Sequence, residues 1–598
     1  MEDKHIKPLF PVWCQKILPL VYDESLSYYE NLCRFSAKLC EIIKSQNNLQ
    51  DEFYRLKEWI DTQLKNYSEE QLQEWLDNGT LENIINNEIF NKLNSKIDNI
   101  YSIIVDVKQE GAKGDGVTDD TEVLNTIINK YNGSGAYIYF PKGTYIINGE
   151  ILNNIESVKD PNNEGLCLNN IHDLSFVFNK DSKLQLKSTN AENYVILNIR
   201  NSWNISFNNL TINGLVYEMT GTTNEWGYGI HISNSNNINF ENLKVTNVNG
   251  DFIYIGSNYY NGNISTYNNN INIYNAKLDN AHRNGISICS GDNINLSNIN
   301  INNVKYNNPK SGIDIELEGW YSNSNYLGNI EINNIVTTNV GYGISFNDRD
   351  NTANVIINNS NGGIFNIVKL SNGCFDNIKN SISLSQGFII VSNSKVNTLE
   401  NANGRCKVYN TSITYLTNNS SLEAEHCTLT NTITGISSNT NFHNCTFYPT
   451  YVTDLKGKLY FDSNYIYNDN CTGNHIFNYN NPNNQLIFTN NFVRFNSNAY
   501  LFYGGGDTQI IANNVFSFGG VSMTNIISLS FHSLIAIGNI INIINAANIT
   551  NFINTDKGSF ASNSLIVDRN IATYPSKNLN FTAGTVSNIE GATNLRKG

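Results

Sequence analysis

Charge is scarce in this chain of 598 residues: Asp, Glu, Lys and Arg together make up 15%, against 11% aromatic residues. A disordered chain shows the reverse balance, so the composition describes a folded protein. Basic residues are the scarcer sign, which leaves a net charge of −14. Binding to phosphate backbones needs a concentrated basic surface, so nucleic acid is not expected as a partner. The opening, Met1-Glu-Asp-Lys-His-Ile-Lys-Pro8, lacks the basic start and apolar run of a signal peptide, and we expect synthesis in a cytosol without a leader. Apolar runs of membrane-spanning length are missing too; the stretch Ile526 to Ile553 is broken by Ser, His, Gly and Asn, so no membrane partner is expected. The 10 Cys include no Cys-x-x-Cys pair. Cys374, Cys406, Cys427, Cys445 and Cys471 recur at about the spacing of one repeat, which predicts reduced thiols stacked in a repetitive core, with disulfides or a metal site as the alternative. Gly504-Gly505-Gly506 is not followed by Lys-Ser or Lys-Thr and is no phosphate loop.

Asn and Ile fill the space that charge and proline leave, and they do so in an ordered way. Residues 20–104 read as helical. Leu32, Phe35, Leu39, Ile42, Leu49, Phe53, Leu56 and Ile60 fall at steps of three and four, with Gln46 at one inner position, a coiled-coil seam. Ser68-Glu-Glu-Gln71 is a capping box for a short helix that Asn78-Gly79 would stop. A third run carries Leu81, Ile85, Ile89, Leu93, Ile97 and Ile100. Narrow seams between wide polar faces suit oligomerising helices more than an ordinary bundle.

At Val107 the pattern changes to Gly111-Ala-Lys-Gly-Asp115-Gly-Val-Thr118-Asp119-Asp120-Thr121, followed by a helix and then Tyr137-Ile-Tyr-Phe-Pro141-Lys-Gly143-Thr-Tyr145. The order and spacing of these two blocks resemble the opening of the pectate-lyase-like tailspike superfamily. That resemblance implies a right-handed parallel β-helix beginning here, with the Asp119–Asp120 pair capping the first coil rather than catalysing. From about residue 165 the chain repeats: Gly229-Ile-His-Ile, Phe252-Ile-Tyr-Ile, Gly285-Ile-Ser-Ile, Gly312-Ile-Asp-Ile and Gly343-Ile-Ser-Phe align as one recurring strand. A second phase shows in Cys427, Cys445, Asn464, Asn491, Asn514, Asn539 and Asn563. Asn tolerates left-handed turns, and stacked Asn side chains can bond along a solenoid. The expected fold class is therefore mainly β: residues 1–104 an α-helical attachment stalk, 105–567 a parallel β-helix, and 568–598 a C-terminal cap.

Alternation within the recurring strand points Ile inward and leaves two outward columns. The first holds His231, Tyr254, Ser287, Asp314 and Ser345; the second holds Ser233, Gly256, Cys289, Glu316 and Asn347. Asp314, Glu316 and Glu318 share one face of one short strand, where mutual repulsion offers a purely structural surface no gain. Outward neighbours on a strand lie roughly 7 Å apart, a separation suited to two carboxyls acting across a glycosidic bond. Asp251 and Arg283 sit in the turns before neighbouring coils and complete a candidate catalytic set of Asp314, Glu316, Asp251 and Arg283. Trp226 and Trp320, in long inserted loops, are candidate sugar-stacking walls. His231, Tyr254, His282 and Glu318 are candidate substrate-binding residues, and solvated outer-face residues are the competing reading. Asp348-Arg349-Asp350 would extend the cleft, form a solvated turn, or hold Ca²⁺ through oxygen ligands; no other cofactor or metal is expected.

His282-Arg283-Asn-Gly285-Ile and Gly312-Ile-Asp314-Ile-Glu316 resemble paired motifs of pectate-lyase-like phage appendages and related glycan-cleaving enzymes, which implies a glycan cleft at Arg283, Asp314 and Glu316. Trp75-Leu-Asp-Asn-Gly79-Thr-Leu81 and the layout of stalk then β-helix resemble tailspikes or appendages of short-tailed phages of Gram-positive bacteria. The resemblance implies a homotrimeric virion protein, joined to phage tail or collar proteins through its N-terminal helices. Its target would be a host cell-wall glycan or teichoic acid. A non-catalytic adhesin of the same fold and a polysaccharide lyase are the alternatives, the lyase disfavoured by a cleft short of Lys.

Overall fold

The Gly-Asp-Gly block closes on itself by side-chain hydrogen bonds before any coil is built. In the computed structural model Asp115 accepts the Val117 and Thr118 amides at 2.9 and 2.8 Å and the Thr118 hydroxyl at 2.8 Å. Gly114 turns at φ +56°, and a Cβ there would lie 2.8 Å from the Tyr145 ring, so the position admits no side chain. Asp120 is buried and accepts the amides of Lys113 and Gly114, while Asp119 accepts the amide and hydroxyl of Thr121. The acidic pair ties the loop to the helix Thr121–Lys130, whose Leu124, Ile127 and Ile128 cover the first coil.

Residues 104–151 and most of 163–597 are described; the longer stretches outside this set are 216–224, 258–266, 318–325, 450–455, 470–474, 555–563, 574–579 and 584–588. The helical reading of 1–104 therefore lies almost wholly outside the described residues, as do Glu318, Trp320, Cys471 and Asn563. Among the described residues, no helix is long and apolar enough to cross a membrane.

Each early coil contributes three strands, and each strand pairs in parallel with its counterpart one coil on. Tyr194–Arg200 pairs with Gly227–Ser233, Trp203–Asn208 with Asn236–Glu241, and Thr211–Asn213 with Lys244–Val248. The result is a parallel β-solenoid with one continuous core. Ile230, Ile253, Ile286, Ile313 and Ile344 stack along one inner row, and Phe176, Phe207 and Phe240 stack along another at centroid spacings of 4.8 Å. β-branched and aromatic side chains suit such rows because they fill a pleated, closely spaced surface.

Asn manages the corners. Asn204, Asn237 and Asn270 all adopt φ near +55°; Asn270 donates to Asn237 at 3.2 Å, Asn237 to Asn204 at 2.8 Å, and Asn204 to the Asp173 carboxylate at 2.9 Å. A second, buried ladder runs Asn464, Asn491, Asn514, Asn539, Asn570, Asn594. From Asn464 to Asn570 each Nδ2 donates to the next Oδ1 and to a main-chain carbonyl one coil back, while each Oδ1 also accepts a backbone amide. The sequence places Asn563 in this series by spacing; the structure places Asn570 there, directly before the strand Ile571–Thr573. The residues read as a terminal cap continue the same ladder: Ile571–Thr573 pairs with Leu595–Lys597. Cys427 and Cys445 lie on the column that Asn464 extends, their thiols bonded to main-chain carbonyls, and Cys406 is buried in the core. Cys374 departs from the expected thiol stack, since it faces outward on its strand and is exposed.

Candidate functional site

The outward columns fall in the register that the repeats indicate. Asn198, His231, Tyr254, Ser287, Asp314 and Ser345 pair successively across six coils. Ser233 pairs with Gly256, and Glu316 with Asn347 and then Lys369. The side chains of the first column are nevertheless buried, against the competing reading of a solvated outer face. Ile151, Val195, Tyr228, Tyr254 and Cys289, with Trp226 against them, form a second apolar cluster outside the solenoid core. His231 is fully buried, stacked on Tyr254 at 5.2 Å and tilted against Tyr228 at 5.2 Å. The expectation of His231 and Tyr254 as surface residues is corrected accordingly: aromatic packing encloses both. Trp226 is half-buried and belongs to this cluster. His282 turns to Tyr306, with ring centroids 4.4 Å apart, and burial pushes its pKa down.

Beside the aromatic cluster lies a buried polar network built by the turns that open successive coils. Asp251 is fully buried, and three donors converge on it: Arg283 Nη1 at 3.0 Å, Ser287 Oγ at 2.7 Å and the Asn284 amide at 3.1 Å. Only donors face its oxygens, which is the environment of a carboxylate. Burial lifts its pKa, and Arg283 and the two other donors oppose that rise. Arg283 is driven further up in return, because Asp251 and Asp314 outweigh its own burial.

Asp314 is 3% exposed. Its Oδ2 receives Asn284 Nδ2 at 3.2 Å, and the Ser345 hydroxyl also bonds to the carboxyl. Burial first, then Glu316 and Asp251, push its pKa up to about 7, with Arg283 and Ser345 pulling the other way. Glu316 is held differently. It is half-buried at the edge of the face, where Asn347 Nδ2 reaches Oε1 at 3.0 Å and Arg349 Nη2 reaches it at 3.2 Å.

The structure thus brings Asp251, Arg283 and Asp314 into one network and hands Glu316 to Arg349, a residue of the trio expected to extend the cleft, form a solvated turn or hold Ca²⁺. Asp348 in that trio is buried and accepts the Thr352 and Ala353 amides at 3.2 and 2.9 Å, which occupies it structurally; Asp350 lies outside the described residues. Sequence reasoning also passed over Asn284, although it lies between Arg283 and Gly285, and Lys369. Lys369 joins the Glu316 column only because the ladder shifts register between Phe346 and Asn347. Its Nζ donates to the Arg349 carbonyl at 2.6 Å, so the margin of the site carries a Lys after all.

Part of this parallel solenoid matches a known family. Residues 104–273 match the family described as rhamnogalacturonase A/epimerase, pectate lyase-like; Asp314 and Glu316 lie beyond the matched residues. The chain is similar to the preneck appendage protein of Bacillus phage PZA, at 31% identity over 134 residues, and to the pre-neck appendage protein of Bacillus phage phi29 at the same identity and length. Each match covers 22% of this chain and 14% of the relative. Among solved structures, an N-terminal fragment of the phage phi29 gene product 12 is 14% identical with a TM-score of 0.39, over 81% of this chain and 93% of that one. Residues 104–273 are thus similar to a pectate-lyase-like family, and 134 residues of the chain are similar to a small part of two phage appendage proteins.

Proposed function

We propose that this protein is a phage appendage that binds a host cell-surface glycan and cleaves it by hydrolysis, with Asp314 as general acid and Glu316 as general base. The observation that carries the reading is the unequal treatment of two carboxyls on one strand. Asp314 is buried with its pKa near 7, so it holds a proton to give, while Glu316 is half-buried and clamped by Arg349 and Asn347 as an acceptor. Acid–base hydrolysis needs this division, and separating the environments of two carboxyls produces it. Their spacing of roughly 7 Å along the strand corresponds to inversion rather than retention. Asp251 and Arg283, closed on each other, set the field around Asp314 instead of meeting substrate. The similarity to pre-neck appendage proteins supports the virion setting, with the N-terminal helices as the attachment and trimerising segment and a wall polysaccharide or teichoic acid as the target.

One observation favours a second reading, an adhesin without turnover: Asp314 is only 3% exposed, so a substrate meets it only after the covering side chains move. Incubating the purified protein with host wall polymer separates the possibilities. New reducing ends or phosphate termini support hydrolysis, absorbance of an unsaturated sugar indicates a lyase, and retention of the polymer without new ends indicates an adhesin.

A further inference from the structure

We infer that Asn284 is a positioning residue that dictates which oxygen of Asp314 carries the transferable proton. The inference rests on the proposed role of Asp314 as general acid, and its geometry can be tested without turnover.

Asn284 is fully buried and committed on every side. Its backbone amide donates to Asp251 Oδ1 at 3.1 Å, and its Oδ1 accepts the Ser311 amide at 3.0 Å. Its Nδ2 donates to Ser287 Oγ at 3.1 Å and to Asp314 Oδ2 at 3.2 Å. The orientation of the carboxamide follows from chemistry. A backbone N–H only donates, so the atom facing Ser311 is the oxygen and the atom facing Asp314 is the nitrogen. An amide NH₂ only donates as well. Asp314 Oδ2 is therefore held in the acceptor role, which favours Oδ1 as the seat of a proton on Asp314.

The same chain of donors isolates the second buried carboxyl. Ser287 receives one Nδ2 hydrogen from Asn284 and turns its own hydroxyl hydrogen to Asp251 Oδ2 at 2.7 Å. Reading outward from Asn284, one arm ends on Asp314 and the other passes through Ser287 to Asp251, where Arg283 closes it. A carboxamide nitrogen does not relay protons at neutral pH. The two carboxyls feel each other's charge yet exchange no proton along this path, so Asp251 remains the partner of Arg283 while Asp314 titrates. The groups facing Asp314 are Arg283 and Asp251 from the preceding turns, Glu316 on its own strand, and the Ser287 and Ser345 hydroxyls on the flanking strands.

Asn284→Asp is the discriminating change. It keeps the shape and the acceptor for Ser311, but places an oxygen where the donor stood. Asp314 then loses a hydrogen bond to its ionised form and gains a second carboxyl beside it, and both effects tighten its hold on the proton. Thermal unfolding is followed from about pH 5 to 9 in the parent and in Asn284→Asp, each with and without Asp314→Asn. The difference within each pair isolates the Asp314 titration. Its midpoint should rise by about one unit or more in the Asn284→Asp background, and the alkaline limb of kcat/KM should move with it. Asn284→Ala, which removes the donor without adding a carboxyl, should shift the midpoint in the same direction, and it serves if the Asp variant does not fold. An unchanged midpoint in the folded variants overturns the inference, as does a parent with no Asp314-dependent titration in that range. A shifted midpoint together with full turnover in Asp314→Asn places the failure on the general-acid reading and leaves the role of Asn284 standing.

Discussion

Arg283 closes on Asp251: its Nη1 lies 3.0 Å from Asp251 Oδ2, beneath a face on which the Asp251 side chain has no exposure at all. The guanidinium is thereby spent on a neighbour instead of on the Asp314–Glu316 strand, and this leaves Asp314 without a dedicated cation. Burial then raises the pKa of Asp314, an effect that Arg283 offsets only in part, while Glu316 finds its own cation in Arg349.

The pair should matter to stability in an asymmetric way. Arg283→Leu leaves Asp251 buried and uncompensated, and should cost about 3–5 kcal/mol, the usual penalty for breaking a buried ion pair from one side. Arg283→Leu combined with Asp251→Asn removes both charges and should recover a large part of that loss. Arg349→Leu removes an exposed partner of Glu316 and should cost about 1 kcal/mol or less. Urea unfolding of the three variants checks the order; equal costs for Arg283→Leu and Arg349→Leu would contradict it.

Asp314 should give the fold a specific pH dependence. Its folded pKa, about 7, lies above that of an exposed Asp, so the folded state binds this proton more tightly than the unfolded chain does. The associated stability is present below the unfolded pKa and is lost as the pH rises through the folded one. Asp314→Asn has no such proton to lose. Its Tm relative to the parent should therefore climb between about pH 4 and pH 8, whereas a constant offset would mean that Asp314 does not titrate as placed.

The buried Asn ladder should behave as a cooperative unit. Asn514 donates to the Phe488 carbonyl at 2.8 Å and to Asn539 Oδ1 at 2.9 Å, and its Oδ1 receives the Asn491 amide and Nδ2 at 2.8 and 3.0 Å. Asn514→Ala strands these partners out of reach of water and should cost about 2 kcal/mol or more. Asn204→Ala, on an exposed ladder, should cost less. Hydrogen exchange of the coils on either side of each substitution would show whether the loss is local or shared.

The helical reading of the N-terminal region makes a separate prediction. The full chain should sediment as a trimer at micromolar concentration. A chain beginning at Val105 should keep its strand content and its glycan binding while failing to join virions. Loss of glycan binding by that shortened, folded chain would contradict the division.

What could be read from the residues alone was whatever repeats. Gly-Ile-x-Ile recurs at a coil's spacing, so the register that sets His231, Tyr254, Ser287 and Asp314 in one column was legible, and the structure has that column. Burial of the same column was not. For His231 and Tyr254 it depends on Tyr228, at the start of a recurring strand, whose ring turns back over the outer face, a choice of side-chain direction that strand alternation does not encode. The partner of Arg283 was hidden for a related reason. A turn residue one coil away from two different acids reaches whichever one its backbone aims at, and spacing does not encode that aim. Arg349 sat in a trio of alternating charge that reads equally well as a solvated turn. Asn284 was masked by abundance: in a chain with Asn at so many corners, one more Asn draws no notice until its hydrogen bonds to Asp251, Ser287, Asp314 and Ser311 are traced.

Turnover by two isosteric variants tests the central claim most directly. Asp314→Asn and Glu316→Gln keep shape and leave the Ile rows beneath them intact. On a wall polymer that the parent protein cleaves, each should lower the release of new termini by about two to four orders of magnitude, the usual scale of general acid–base catalysis, while binding of the polymer changes little. Parental rates in both variants would contradict the account and move the search for the catalytic site away from this strand.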